Sequence, residues 1–97
     1  MIRHTVTFKL KSTLDSAAIA DFFNAAKKLA DIRGVQNFEC LKQLSTKNKF
    51  EYGLSMEFAT STLYTQYSNH PDHVAFVQQH WLKNVEDFME IDYESLR

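Results

Sequence analysis

From Ile2 to Lys11 apolar and polar positions alternate: Ile2, His4, Val6, Phe8 and Leu10 fall on one side, Arg3, Thr5, Thr7, Lys9 and Lys11 on the other. A period of two predicts a strand with one buried face. The period then lengthens. Ile19, Phe22, Phe23, Ala26, Leu29 and Ala30 recur at helical spacing behind Asp15 and Ser16, either of which can accept a hydrogen bond from the open N–H groups of a first turn. Gly34 is the candidate for the left-handed residue that ends this helix. Val35 to Leu44 alternates less cleanly, but Phe38, Cys40, Leu41 and Leu44, with no Pro or interior Gly, favour a strand. After the polar turn Ser45-Thr46-Lys47-Asn48-Lys49, Phe50, Tyr52, Leu54, Met56 and Phe58 alternate with Glu51, Gly53, Ser55 and Glu57. The two segments predict an antiparallel hairpin.

Thr60 or Ser61 can cap a second helical region holding Leu63, Tyr64 and Tyr67. It must break near Asn69 and His70, because residues before Pro71 are pushed out of helical geometry. Pro71 suits the first turn of a new helix, in which Val74, Val77 and Trp81 recur at helical spacing and Asp72 sits at the positive end. Val85 to Tyr93 reads as a last strand, with Val85, Met89, Ile91 and Tyr93 grouped on one side and Asp87 with them. The order strand, helix, strand, strand, helix, strand predicts an α+β, ferredoxin-like βαββαβ fold with a four-stranded antiparallel sheet. Two helices cover one face of such a sheet. The bare face then favours pairing of two copies into a dimeric α/β barrel, for which Phe50, Tyr52, Leu54, Met56, Met89, Ile91 and Tyr93 are interface candidates.

The length of 97 residues bounds this to a single domain over residues 1–97. Eleven basic and twelve acidic side chains, mixed along the chain for a net charge of −1, give no footprint for nucleic acid or an anionic membrane. The N-terminus lacks the apolar run of a signal peptide, and no window approaches the roughly 20 apolar residues of a spanning helix. A soluble, cytoplasmic protein is the expectation, and the single Cys40 suits a reducing compartment.

His4 is the unusual residue of the first strand, since its alternation places it with Val6 and Phe8 on an apolar face. A polar group buried there needs a partner or a cavity. His70 and His73 are spaced to bring two imidazoles together, whereas His73 and His80 lie about 10 Å apart along a helix and cannot share one ion. No acidic pair completes a metal site, and none is expected. Phe8, Phe23, Phe76 and Trp81 are candidates to line a pocket for a hydrophobic small molecule, with core packing the alternative for each. Cys40 has no adjacent base or cationic cluster and reads as an inert thiol.

Met1-Ile2-Arg3-His4, Asp21-Phe22-Phe23, Thr46-Lys47-Asn48-Lys49, the run Tyr67-Ser68-Asn69-His70-Pro71-Asp72-His73-Val74-Ala75-Phe76 and the terminal Asp87-Phe88-Met89-Glu90-Ile91-Asp92-Tyr93 together resemble the stress-responsive A/B barrel (Dabb) family. The His-Pro-x-His element is the most specific piece, and the similarity runs in one register along essentially the whole chain. The resemblance implies a homodimeric barrel with a cavity between the sheet and helices of each subunit. Members of the family include stress-induced plant proteins without an assigned reaction and olivetolic acid cyclase, which closes a linear polyketide by an aldol condensation without a cofactor. Carried over by the resemblance, Tyr67 is the carbonyl-orienting donor, His73 the general base and His4 a further site histidine.

The chemistry suits those residue types. A neutral imidazole can remove a proton from an activated carbon near pH 7, and a tyrosine hydroxyl can stabilise the enolate oxygen that forms. Against this stands a structural reading in which His70 and His73 hold the Pro71 junction and Tyr67 is a core residue. The implied functions are therefore a cofactor-free cyclase acting on a small hydrophobic or carbonyl-bearing molecule, or a non-catalytic, stress-related dimer. Cofactor-independent oxygenation of a phenol rests on shared architecture alone.

Overall fold

The alternation of the first segment becomes a burial pattern in β1 (Ile2–Leu10), where His4, Val6, Phe8 and Leu10 are all buried. After it come α1 (Ser16–Lys27), β2 (Gln36–Lys42), β3 (Tyr52–Phe58), α2 (Ser61–Asn69), α3 (Pro71–Phe76), α4 (Leu82–Asn84) and β4 (Val85–Glu94). The computed structural model describes residues 1–96. The four strands lie in the order β2-β3-β1-β4 with every neighbouring pair antiparallel, which is the ferredoxin-like arrangement.

Local chemistry sets the helix ends. Asp15 caps α1 by accepting from the Ala18 N–H at 2.8 Å, and Thr60 caps α2 by accepting from the Leu63 N–H. The first helix does not run on to Gly34. It tightens into a 3₁₀ turn, Lys28–Asp31, and Gly34 follows at φ +92°, where the turn toward β2 needs a residue without a Cβ. Pro71 starts α3 behind His70, whose extended backbone ends α2.

β1 is central, so its register fixes what meets at the site. His4 faces Met56 on β3 and Asp92 on β4, and Val6 faces Leu54 and Glu90. Partners in an antiparallel pair project to the same face. Between Lys9↔Asp87 and Leu10↔Val85 the register shifts, because β4 carries one residue more than β1. This bulge reverses the phase of β4. Val85, Phe88, Glu90 and Asp92 point to the helices, while Asp87, Met89, Ile91 and Tyr93 point to the other face, so grouping Val85 with Met89 is corrected.

Tyr52, Leu54 and Met56 share the helix side with His4, Val6 and Phe8, and Leu54 and Met56 are core residues. As interface candidates they are withdrawn; Phe50 precedes β3 and lies outside the sheet, and Met89, Ile91 and Tyr93 remain. The opposite face is less apolar than alternation suggested. Thr5, Thr7 and Gly53 form the floor of a shallow groove between Leu41 and Ile91. The core lies between sheet and helices, with Phe8, Phe22 and Phe58 fully enclosed. A single sheet of this kind stays open, and a barrel requires a second copy.

Candidate functional site

Sheet and helices separate at one end of the core to leave a cavity of about 190 Å³. That exceeds the roughly 150 Å³ void that accommodates benzene. Its floor is His4, Val6, Leu54 and Met56, the buried helix-facing rows of β1 and β3, and the exposed Glu90 of β4 stands at its open edge. Tyr67 from α2 and His73 and Phe76 from α3 form the wall above. Two irregularities hold that wall in place. The Pro71 break reorients the chain between Tyr67 and His73. Beyond α3 the helix widens into a π turn, Val77–Trp81, with the Leu82 N–H donating to the Val77 carbonyl, and both ends of that turn face the cavity. Leu82 and Phe88 stand exposed at the mouth.

The polar end is built from residues distant in the chain. The Tyr67 and His73 rings lie 4.5 Å apart, and Tyr67 lies 6.4 Å from His4. His73 Nδ1 is 2.9 Å from the Ser68 carbonyl oxygen. A carbonyl only accepts, so Nδ1 carries the hydrogen and, in the neutral ring, Nε2 keeps the lone pair. His4 Nδ1 is 2.6 Å from Asp92 Oδ1 and 2.8 Å from the Tyr64 hydroxyl, which itself donates to Asp92 Oδ2 at 2.8 Å. That closed ring of bonds satisfies the buried histidine and likewise leaves its Nε2 outside the network. None of these bonds goes to Tyr67, which is 2% exposed but lines the cavity.

Electrostatics follow from burial. Desolvation pushes His73 below the ordinary imidazole value, although its bond to the Ser68 carbonyl acts the other way. Tyr67 is pushed well above the usual phenol range, first by burial and then by Glu90, so it is a hydrogen donor across the whole neutral range. Tyr64 is raised in the same direction by burial and by its bond to Asp92. Among the described residues no three His, Cys, Asp or Glu side chains gather as metal ligands. Burial also raises the Cys40 thiol, which favours its unreactive protonated form.

His4, Tyr67, His73, Phe76 and Trp81 thus meet at one cavity, as a single site requires. Phe8 and Phe23 do not. Phe8 is closed into the core against Phe22 and Trp81, and Phe23 packs on Tyr52 at 5.0 Å between ring centres. Four residues of strand carry Phe8 about 13 Å beyond His4, and alternation gives a side chain's face but not its distance from the site. His70 belongs to the junction, its Nδ1 accepting from the Asp72 N–H at 3.0 Å. Sequence reasoning missed Tyr64, Glu90 and Asp92. Tyr64 stands three positions before Tyr67, a visible signal of a shared helix face, whereas the bulge in β4 concealed the facing of the two carboxylates.

Residues 2–95 match the family model of the Stress Responsive A/B Barrel Domain. The chain is 30% identical over 95 residues to a stress-response A/B barrel domain-containing protein of Arabidopsis thaliana, covering 96% of this chain and 36% of that protein. It therefore spans about a third of that curated relative. A Dabb family protein of Mesorhizobium loti superposes with a TM-score of 0.93 at 50% identity, covering 99% and 97% of the two chains. A dimeric ferredoxin-like protein of unknown function from Thermobifida fusca superposes at 0.82 with 20% identity, over 97% and 90%. Hydroxynitrile lyase from Passiflora edulis superposes at 0.87 with 16% identity, over 99% and 96%, a likeness of fold alone.

Proposed function

The chain belongs to the stress-responsive A/B barrel domain family, and from that premise we propose that its cavity binds a small hydrophobic, carbonyl-bearing molecule and acts on it without a cofactor. The observation that carries this reading is the meeting of Tyr67 and His73 at 4.5 Å in a largely apolar cavity. Tyr67 donates its hydroxyl hydrogen to the substrate carbonyl oxygen. His73 Nε2 takes a proton from the adjacent carbon, and the electron pair of that C–H bond becomes the enolate held by Tyr67. In an aldol cyclisation the enolate carbon bonds to a second carbonyl carbon, whose oxygen recovers the proton from the imidazolium. Atoms and charge balance with no further reactant. Trp81 and Phe76 supply the apolar wall that would hold the chain of such a substrate.

A second reading is favoured by a specific bond. His73 Nδ1 ties α3 to the end of α2 through the Ser68 carbonyl, as a residue that merely holds the Pro71 junction would. A stress-related, partner-binding dimer would need nothing more. Acetophenone is a suitable probe, since its single ring and carbonyl are compatible with the cavity volume. We expect it to raise the melting temperature of the wild type and to exchange its methyl hydrogens for deuterium faster with protein than without. Tyr67→Phe should reduce that exchange by about 100-fold while His73→Ala abolishes it. Binding without exchange would leave a binding protein, and neither effect would favour the junction reading.

A further inference from the structure

We propose that Glu90 makes the cavity selective for uncharged carbonyl compounds and excludes carboxylates of the same shape, an inference that rests on the small-molecule reading above. The β4 register places Glu90 opposite Val6 on the helix-facing side, next in its row to Asp92, which is opposite His4. The solvent-exposed Glu90 lines the cavity at its open edge, and among the described residues no Lys or Arg lines it. Asp92 adds a second carboxylate behind His4, held by His4 and Tyr64.

An anionic ligand seated against Tyr67 and His73 would therefore leave water for an apolar cavity beside like charge and with no fixed cation to offset it. Burial also disfavours the protonated form of His73. A carbonyl oxygen loses little in the same position, because the Tyr67 hydroxyl replaces its water hydrogen bond. An ammonium ion would find Glu90 attractive but has no acceptor for the Tyr67 hydrogen. The arrangement fits a neutral acceptor group on an apolar body.

Acetophenone, benzamide and benzoate differ only at the group beside the carbonyl, so calorimetric titration of the three against wild type and Glu90→Gln separates charge from shape. In the wild type benzoate should bind at least about tenfold more weakly than the two neutral compounds, and Glu90→Gln should narrow that gap by about threefold, the cost of desolvating the carboxylate remaining. Benzoate binding as tightly as acetophenone to the wild type, or an unchanged gap in Glu90→Gln, would overturn the role of Glu90 while leaving the cavity reading in place. Binding of none of the three would overturn both.

Discussion

Asp92 and His73 show how single side chains at this site serve both stability and chemistry. The Asp92 carboxylate accepts from His4 and from Tyr64, so removing it leaves a histidine in the core with its Nδ1 hydrogen short of its charged acceptor. Asp92→Ala should cost about 1–3 kcal/mol in urea denaturation, and Tyr64→Phe less, since the His4–Asp92 bond survives it. An unchanged midpoint in Asp92→Ala would show that the network contributes nothing. His73 gives a pH signature. In the unfolded chain it takes up a proton near the ordinary value of 6.5, whereas in the folded chain burial delays uptake to lower pH. Between those two values the unfolded state binds more protons, so this residue's contribution to stability falls as pH falls below 6.5 and is constant above it. Wild type should lose more stability than His73→Ala between about pH 7 and pH 5. Parallel profiles would mean that His73 titrates alike in both states.

At the scale of elements, the second helical region matters most, because it is assembled from short pieces. α2 ends at the extended His70, α3 begins at Pro71, and the π turn follows, so Tyr67 and His73 reach one wall although they lie in different helices. A continuous helix would set residues six apart about 120° from each other around its axis. Thr60→Ala removes the α2 cap and should cost about 1 kcal/mol by thermal denaturation. Gly34→Ala should cost about 1–2 kcal/mol, since an L residue is strained at φ +92° and the new Cβ would meet the Leu63 side chain at 3.2 Å. Both substitutions bear on the α2 end of the site, and neither should alter the chemistry.

For the whole molecule, the open sheet face is the main unsatisfied feature. Met89 and Tyr93 are about half exposed there, and the groove over Thr5, Thr7 and Gly53 is bordered by Leu41 and Ile91. A second copy packed face to face would cover it, and we expect light scattering to give twice the chain mass. Ile91→Asp, which places a charge at the groove's edge, should shift the protein toward monomer at micromolar concentration while the helix-side cavity stays intact. A monomeric wild type would remove the basis for a dimeric barrel.

Periodicity by itself determined the strand and helix order, the ferredoxin-like class and the burial of His4, because alternation along a single segment reports which face is covered. Pro71 likewise announced the break between α2 and α3, since its effect on the preceding backbone is local. Tertiary structure alone decided that His4 pairs with Asp92, that Glu90 shares its cavity, and that Phe8 and Phe23 lie beyond it. Those outcomes depend on the pairing of β1 with β4, whose segments are separated by most of the chain, and on a bulge that reverses which residues of β4 face inward. Register between distant strands is fixed by the packing of the complete core, and a pattern read within one strand does not contain it.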